Sequence, residues 1–353
     1  MKKYLICTES GASFHAASKA RKDAELIAQR MGYELFRFQG GRSAKKSVYK
    51  GIRFAWDGVL NWLRFIREID KDSLVLLQYP HYPIKSAFLL RWMIPLSKWK
   101  NRLNYIALVH DLDSLRNLHG SGALYSDQCI LPLFDAIICH NDNMKAYLTK
   151  QGIAEEKLIS LGIFDYLTKE SHKIHTRLEG IAVAGNLSHE KCAYILEWMR
   201  MDWQGTPIHL YGNGFEHAST PNYVQMHGIV PPEELPRVIE GGFGLVWDGP
   251  SEKNCSGFAG EYLRYNNPHK LSLYLASGIP VIIWEEAACA KFVQDAGVGL
   301  LIKSINEIEK IIASLSDEQY QQMLERVEKI GKAIREGRFL FRALKKAETI
   351  KKL

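Results

Sequence analysis

The sequence predicts an α/β protein made of two Rossmann-like, doubly wound domains that face each other across a cleft. Three observations carry that expectation. Short, wholly apolar runs alternate with amphipathic segments, the pattern of a parallel sheet covered on both faces. The alternation lapses over residues 165–178 and then restarts. A length of 353 residues is too great for one ordinary α/β domain and comfortable for two.

In the first half, Lys3–Thr8 reads as a buried strand followed by a small-residue turn that includes Gly11 and Ser13. Ala16, Ala20, Ala24, Ile27 and Met31 then recur at spacings of three and four, which predicts an amphipathic helix. Residues 56–69 and 84–98 read as helices, and 73–78, 105–110, 136–139 and 158–163 as strands. Residues 165–178 carry neither period and form the expected linker. Beyond it, 180–184, 208–211, 242–247 and 280–284 read as strands, with helices over 191–201 and 269–276. Met323, Val327, Ile330 and Ile334 mark a late amphipathic helix, and the basic tail reads as a last one. The expected division is therefore 1–164, a linker over 165–178, a second domain over 179–335, and a terminal helix over 336–353.

Composition narrows the class. A hydrophobic fraction of 46% and a charged fraction of 24% are globular values and exclude a disordered chain. The N-terminal apolar run is too short for a secretory signal, and no stretch approaches the roughly 20 apolar residues of a membrane span. A cytoplasmic protein is expected. The six cysteines are scattered without a C-x-x-C pair, so free thiols are expected rather than disulfides or a zinc knuckle. The net charge of +7 is concentrated over residues 42–53 and 85–102, the latter interleaved with Phe88, Trp92 and Trp99. That pattern suits an anionic membrane surface, and equally an amphipathic helix with a solvated face. Nucleic-acid binding rests on charge alone and is not expected.

In open parallel sheets, ligands sit beyond the carboxyl ends of the strands. Four such junctions in the second half are suited to a phosphorylated ligand. Gly185 ends a buried strand ahead of Asn186, the N-cap candidate Ser188 and the cation Lys191. Tyr211-Gly212-Asn213-Gly214 offers a positive-φ turn with an aromatic ring able to stack on a base. Around Gly228 and Val230, exposed backbone can read a base edge. The fourth junction, Asn267-Pro268-His269-Lys270-Leu271, places a lysine in a first helical turn. The helix dipole disfavours a cation there unless an anion lies between them, which suggests a bound phosphate.

Together these segments resemble the donor half of GT-B glycosyltransferases. Residues 185–191 look like the family's G-R-L-x-x-x-K loop, 227–231 are similar to its H-G-x-V-P turn, and 268–281 look like P-N-K-L-x-E-Y-L-A-x-G-x-P-V. Asn186 stands in place of the usual arginine, which leaves Lys191 and Lys270 as diphosphate cations, and Leu273 replaces a ribose-binding glutamate. Residues 241–247 and 278–282 match a subgroup containing bacterial galactofuranosyltransferases and the glucosyltransferase of streptococcal adhesins. Gln78-Tyr79-Pro80 and His110-Asp111 are similar to it as well. The resemblance implies an N-terminal acceptor domain, a C-terminal donor domain and a terminal helix returning to the first. It further implies a UDP-sugar donor, no obligatory metal, and a saccharide acceptor. The acceptor can be lipid-linked at the inner membrane face, and a homodimer is a further expectation.

Val109-His110-Asp111 follows a buried strand, so His110 and Asp111 should emerge at the cleft. Attack by a sugar hydroxyl on an anomeric carbon gains from a nearby base, and either residue can serve in an inverting enzyme, whereas in a retaining one the departing phosphate can take that role and leave His110 to orient the donor sugar; a helix cap is the competing role for Asp111 or Asp113. Gly11, Ser13, Gln78 and Tyr79 are expected to meet substrate, and Glu261 to touch the sugar. Asp111-Leu112-Asp113 also matches the metal-binding D-x-D of GT-A transferases, a reading that leaves residues 180–283 without a purpose. No G-x-G-x-x-G joins a strand to a helix, which argues against a dinucleotide dehydrogenase. A non-catalytic subunit of the same shape and a UDP-sugar epimerase remain as alternatives.

Overall fold

The computed structural model describes residues 1–8, 16–38, 48–81, 87–116, 127–168, 175–201, 203, 205–215 and 219–350. Gly11 and Ser13 lie outside them. Two six-stranded sheets, all parallel, form the centres of two lobes. The first has the order β2-β1-β3-β4-β5-β6: β1 (Lys3–Thr8), β2 (Glu34–Phe38), β3 (Leu74–Tyr79), β4 (Asn104–Val109), β5 (Ala136–Cys139) and β6 (Leu158–Ser160). The second runs β12-β11-β10-β7-β8-β9: β7 (Ile181–Asn186), β8 (Ile208–Asn213), β9 (Val224–Gly228), β10 (Phe243–Val246), β11 (Val281–Trp284) and β12 (Gly299–Ile302).

Strand composition explains the layering. β3 is Leu-Val-Leu-Leu-Gln-Tyr with every residue buried, as a strand covered on both faces must be. One side of the first sheet packs Trp62, Phe65 and Ile94 from the helices Val48–Glu68 and Ala87–Asn101. On the other side lie Ala24 and Ile27 from the helix Ala16–Arg30, with Leu340, Ala343 and Leu344 from the last helix, Arg338–Thr349. The C-terminal helix thus crosses back onto the first lobe. None of the helices searched among the described residues is long and apolar enough to cross a membrane. All six cysteines are free thiols.

Asp165 anchors that crossing. Its carboxylate accepts from the amides of Phe339 at 3.1 Å and Leu340 at 2.7 Å, at the start of the last helix. Burial disfavours the charge more than these two amides favour it, and the pKa is raised to about 7. Its contribution to stability is therefore fully present below the ordinary carboxylate range and is lost as pH rises through about 7. The Tm should fall as pH rises from about 4 to about 7, and Asp165→Asn should flatten that slope. An unchanged slope in the variant would rule out Asp165 as its source.

In the second sheet the chain order reverses between β7 and β10. A crevice opens beyond the carboxyl ends of strands at such a switch point. It is bordered here by Gly185 and Asn186 at the end of β7 and by Trp247 and Asp248 after β10.

Candidate active site

The first lobe presents His110 and Asp111 just beyond β4. The Nε2 of His110 lies 2.7 Å from the Gln78 Oε1. A carbonyl oxygen only accepts, so Nε2 carries the proton and Nδ1 offers a lone pair. The ring stacks on Phe164 at 5.7 Å, and Phe164 stacks on His269 of the second lobe at 4.7 Å. Burial, aided by the charge of Arg21 and by His269 and His140, lowers the His110 pKa well below its ordinary value. His110 is a neutral imidazole.

Asp111 accepts from the Tyr262 hydroxyl at 3.2 Å, and the Tyr262 hydroxyl oxygen in turn accepts from the Leu112 amide at 3.2 Å. The helix that follows, Asp113–Arg116, has its Ser114 amide bonded to Asp127 at 3.0 Å. Asp127, not Asp111, thus receives the Ser114 amide. Tyr79 was expected to meet substrate, but it is 2% exposed and its hydroxyl bonds Asp127 at 2.6 Å. Its role is to brace the loop from behind, while the equally buried Gln78 orients His110.

In the second lobe, β7 and β8 end side by side, with Gly185 opposite Gly212 and Asn186 opposite Asn213. A Cβ on Gly212 would fall 1.8 Å from the Gly185 carbonyl oxygen, which forces glycine at this crossing. At Gly185 itself φ is +129° and the space around a Cβ is open, so the crevice floor is bare backbone. The Asn186 carboxamide oxygen takes the Ser188 amide at 3.0 Å. The helix predicted over 191–201 is instead two pieces, His189–Cys192 and Tyr194–Arg200. Gly249 explains the break. Its amide donates to the Lys191 carbonyl at 2.7 Å, and its own carbonyl accepts from Tyr194 at 3.4 Å.

Lys270 begins the helix His269–Ala276 as expected, but the anion beside it is protein. Its ammonium lies 2.8 Å from Asp248 and 2.9 Å from the Trp247 carbonyl. Burial opposes the Lys270 charge, and the Asp248 carboxylate overrides burial and raises its pKa. No phosphate is needed to reconcile this lysine with the helix dipole. Lys191 is half-buried at the crevice.

Three further expectations change. Tyr211 is 2% exposed, its ring lies 4.3 Å from and parallel to His227, and its hydroxyl takes the Glu240 amide, so it has no face open to a base. Asn267 joins the lobes instead of facing a ligand. Its side chain donates to the carbonyls of His140 and Gly162 and accepts from Asn141 at 2.7 Å, and its backbone amide donates to the His140 Nδ1 at 2.9 Å. Leu271 is wholly buried and offers at most backbone. Glu261 is exposed and paired with Arg264 at 2.8 Å. Gly228 has φ +70° with open space beside it, and Val230 packs on the core beneath. His269, aligned with Phe164, has neither ring nitrogen bonded to protein among the described residues. Sequence reasoning missed Tyr262, Phe164 and the pairing of Asp248, none of which carries a motif.

Comparison with known proteins agrees with the two-lobed fold. Residues 2–163 match the N-terminal domain model of glucosyltransferase 3-like proteins, and 181–347 match the C-terminal domain model. The chain is 35% identical over 277 residues to the beta-1,6-galactofuranosyltransferase WbbI of Escherichia coli K12, covering 76% of this chain and 77% of that one. It is 29% identical over 212 residues to glucosyltransferase 3 of Streptococcus gordonii, covering 58% and 59%. Among solved structures, HepE of Anabaena in complex with UDP superposes with a TM-score of 0.62 at 12% identity over 99% of this chain and 98% of that one. The galactosyltransferase WaaB gives 0.60 at 14% identity over 99% of each. These likenesses at low identity show the GT-B fold.

Proposed function

Because the chain belongs to the glucosyltransferase 3-like family of glycosyltransferases, we propose that it moves a hexose from a UDP-sugar to a saccharide acceptor in bacterial surface glycan synthesis. The observation that carries this reading is the assembly of His110, Asp111, Phe164 and His269 opposite the bare-backbone crevice of the second lobe. Residues 1–164 take the acceptor, 179–335 take the donor, 165–178 link them and 336–353 brace the first lobe. The diphosphate lies over Gly185 and Asn186, with Lys191 as its near cation and the Lys270–Asp248 pair behind. The uracil meets backbone at Gly228 and Val230. Asp111 accepts the proton of the attacking acceptor hydroxyl as the bond from the anomeric carbon to the UDP oxygen breaks. The Nδ1 lone pair of His110 holds a sugar hydroxyl.

The direct test is nucleotide selectivity. UDP should raise the Tm while GDP and ADP do so far less, and Lys191→Ala should weaken the UDP response by about ten-fold, as expected for one charge-assisted contact. Equal responses to all three nucleotides would refute the donor assignment.

The acceptor is lipid-linked and presented at an anionic bilayer. Trp56, Leu60 and Leu63 on the helix Val48–Glu68, and Trp92, Leu96 and Trp99 on the neighbouring helix Ala87–Asn101, are all exposed. Both trios share one spacing, i, i+4 and i+7, so each lines one helix face. Trp99 reaches 81% exposure. Arg67, Arg91 and Lys100 lie on the same two helices and complement anionic headgroups. The protein should sediment with phosphatidylglycerol vesicles and not with phosphatidylcholine vesicles, and Trp92→Glu with Trp99→Glu should cut that binding by more than about ten-fold. Lipid-independent dimerisation through this face would overturn the membrane assignment.

A further inference from the structure

We infer that His209, His227 and Glu240 form a divalent transition-metal site, of the zinc type, at the far edge of the second sheet. Their ligating atoms all lie within 4.8 Å of one another. Among the described residues this is the one such group of three. His209 projects from β8 and is buried, His227 projects from the neighbouring β9, and Glu240 follows the short helix Leu235–Val238.

The hydrogen bonds define which nitrogens are ligands. His209 Nε2 lies 2.9 Å from the Glu179 carbonyl oxygen. A carbonyl cannot donate, so Nε2 holds the proton and Nδ1 presents a lone pair inward. Donation of the outer ring N–H to a backbone carbonyl is the usual way a metal-bound histidine is oriented. That Nδ1 faces His227 Nε2 at 3.1 Å and a Glu240 carboxylate oxygen at 3.6 Å. The Nδ1 lone pair, the His227 Nε2 and the carboxylate oxygen converge on one point, where either a proton between the two rings or a cation bound by all three groups satisfies them, and the three-donor set suits the cation. Two nitrogens bound tetrahedrally at about 2.0 Å stand about 3.3 Å apart, close to the spacing seen. Two imidazoles and one carboxylate are a recognised zinc donor set, with water completing the coordination.

The remaining contacts hold the ligands in place. The Tyr211 ring lies parallel to His227 at 4.3 Å, and its hydroxyl takes the backbone amide of Glu240. Tyr211, removed above from base stacking, thereby gains a role as the positioning residue for two of the three ligands. A metal here ties β8, β9 and the segment after residue 238 together just before the turn at Gly228. The site stands apart from the reacting groups at His110 and Asp111. Its existence does not depend on the donor assignment.

The test uses the full chain, free of any affinity tag, stripped with EDTA and titrated with zinc and, separately, cobalt. The expected result is one equivalent bound per chain, visible bands of tetrahedral cobalt, and a Tm rise of roughly 5 °C at a hundred-fold excess over Kd. His227→Gln and Glu240→Gln, both at half-exposed positions, should fold normally by circular dichroism and lose affinity by about 100-fold or more. Absence of stoichiometric binding by the wild-type chain would overturn the proposal and leave a proton shared between the histidines. Unchanged affinity in both variants would also overturn it, by locating the metal elsewhere.

Discussion

Lys270→Met is expected to destabilise the protein by about 3–5 kcal/mol, because it leaves the Asp248 carboxylate buried without its partner. Asp248 is 6% exposed and its lysine partner lies 2.8 Å away. Replacing both, as Lys270→Met with Asp248→Asn, should recover most of that loss, since a buried pair exchanged as a unit costs little. The double variant therefore separates two roles that the single one confounds. If the pair also backs the donor diphosphate, the double variant folds with near wild-type stability yet binds UDP at least about ten-fold more weakly. Chemical denaturation and UDP titration read the two quantities. Wild-type UDP affinity in a stable double variant would reduce the pair to a purely structural role.

Asp111→Asn is expected to lower kcat by about 10²- to 10⁴-fold while the donor KM changes little, the signature of a lost proton acceptor. The substitution is nearly isosteric and keeps an oxygen for Tyr262 to donate to, so the fold should persist. Tyr262→Phe provides the companion measurement. It retains the carboxylate but removes the hydroxyl that fixes it, and should cost less than Asp111→Asn in kcat. A variant at Asp111 that retains full turnover would transfer the proton to another acceptor, with His110 Nδ1 the next candidate.

Much of the architecture was legible in the residues. β3 and β4 are wholly or almost wholly buried, and their continuous apolar runs announced a sheet covered on both sides. β2 and β12 were not read. Glu-Leu-Phe-Arg-Phe alternates like an exposed strand and Gly-Leu-Leu-Ile is only four residues long, so neither stands out from a helical context. The break at Ala193 was invisible because its cause, Gly249, lies more than fifty residues away in sequence.

The candidate site was legible in its backbone and less so in its side chains. Glycine patterns marked Gly185, Gly212 and Gly228 because a close approach or a positive φ depends on the residue itself. Asn267, Tyr211 and Tyr79 sit at positions where a motif suggests a ligand. Which way each side chain turns is decided by an opposing lobe or a neighbouring strand, and no local pattern encodes that. Lys270 shows the same limit, since its anion comes from the end of another strand.

The Tyr262 hydroxyl and the Asp111 carboxylate come from opposite lobes, and their 3.2 Å bond has little length to spare. Separation by even about half an ångström takes it out of hydrogen-bond range. On the proposed reading of Asp111 as the base, parting the lobes takes this interlobe contact away from the carboxylate, so an open molecule holding a donor alone meets entering water with a less firmly held base. On that same reading the bond is an interlock that favours transfer to an acceptor over wasteful hydrolysis of the sugar nucleotide.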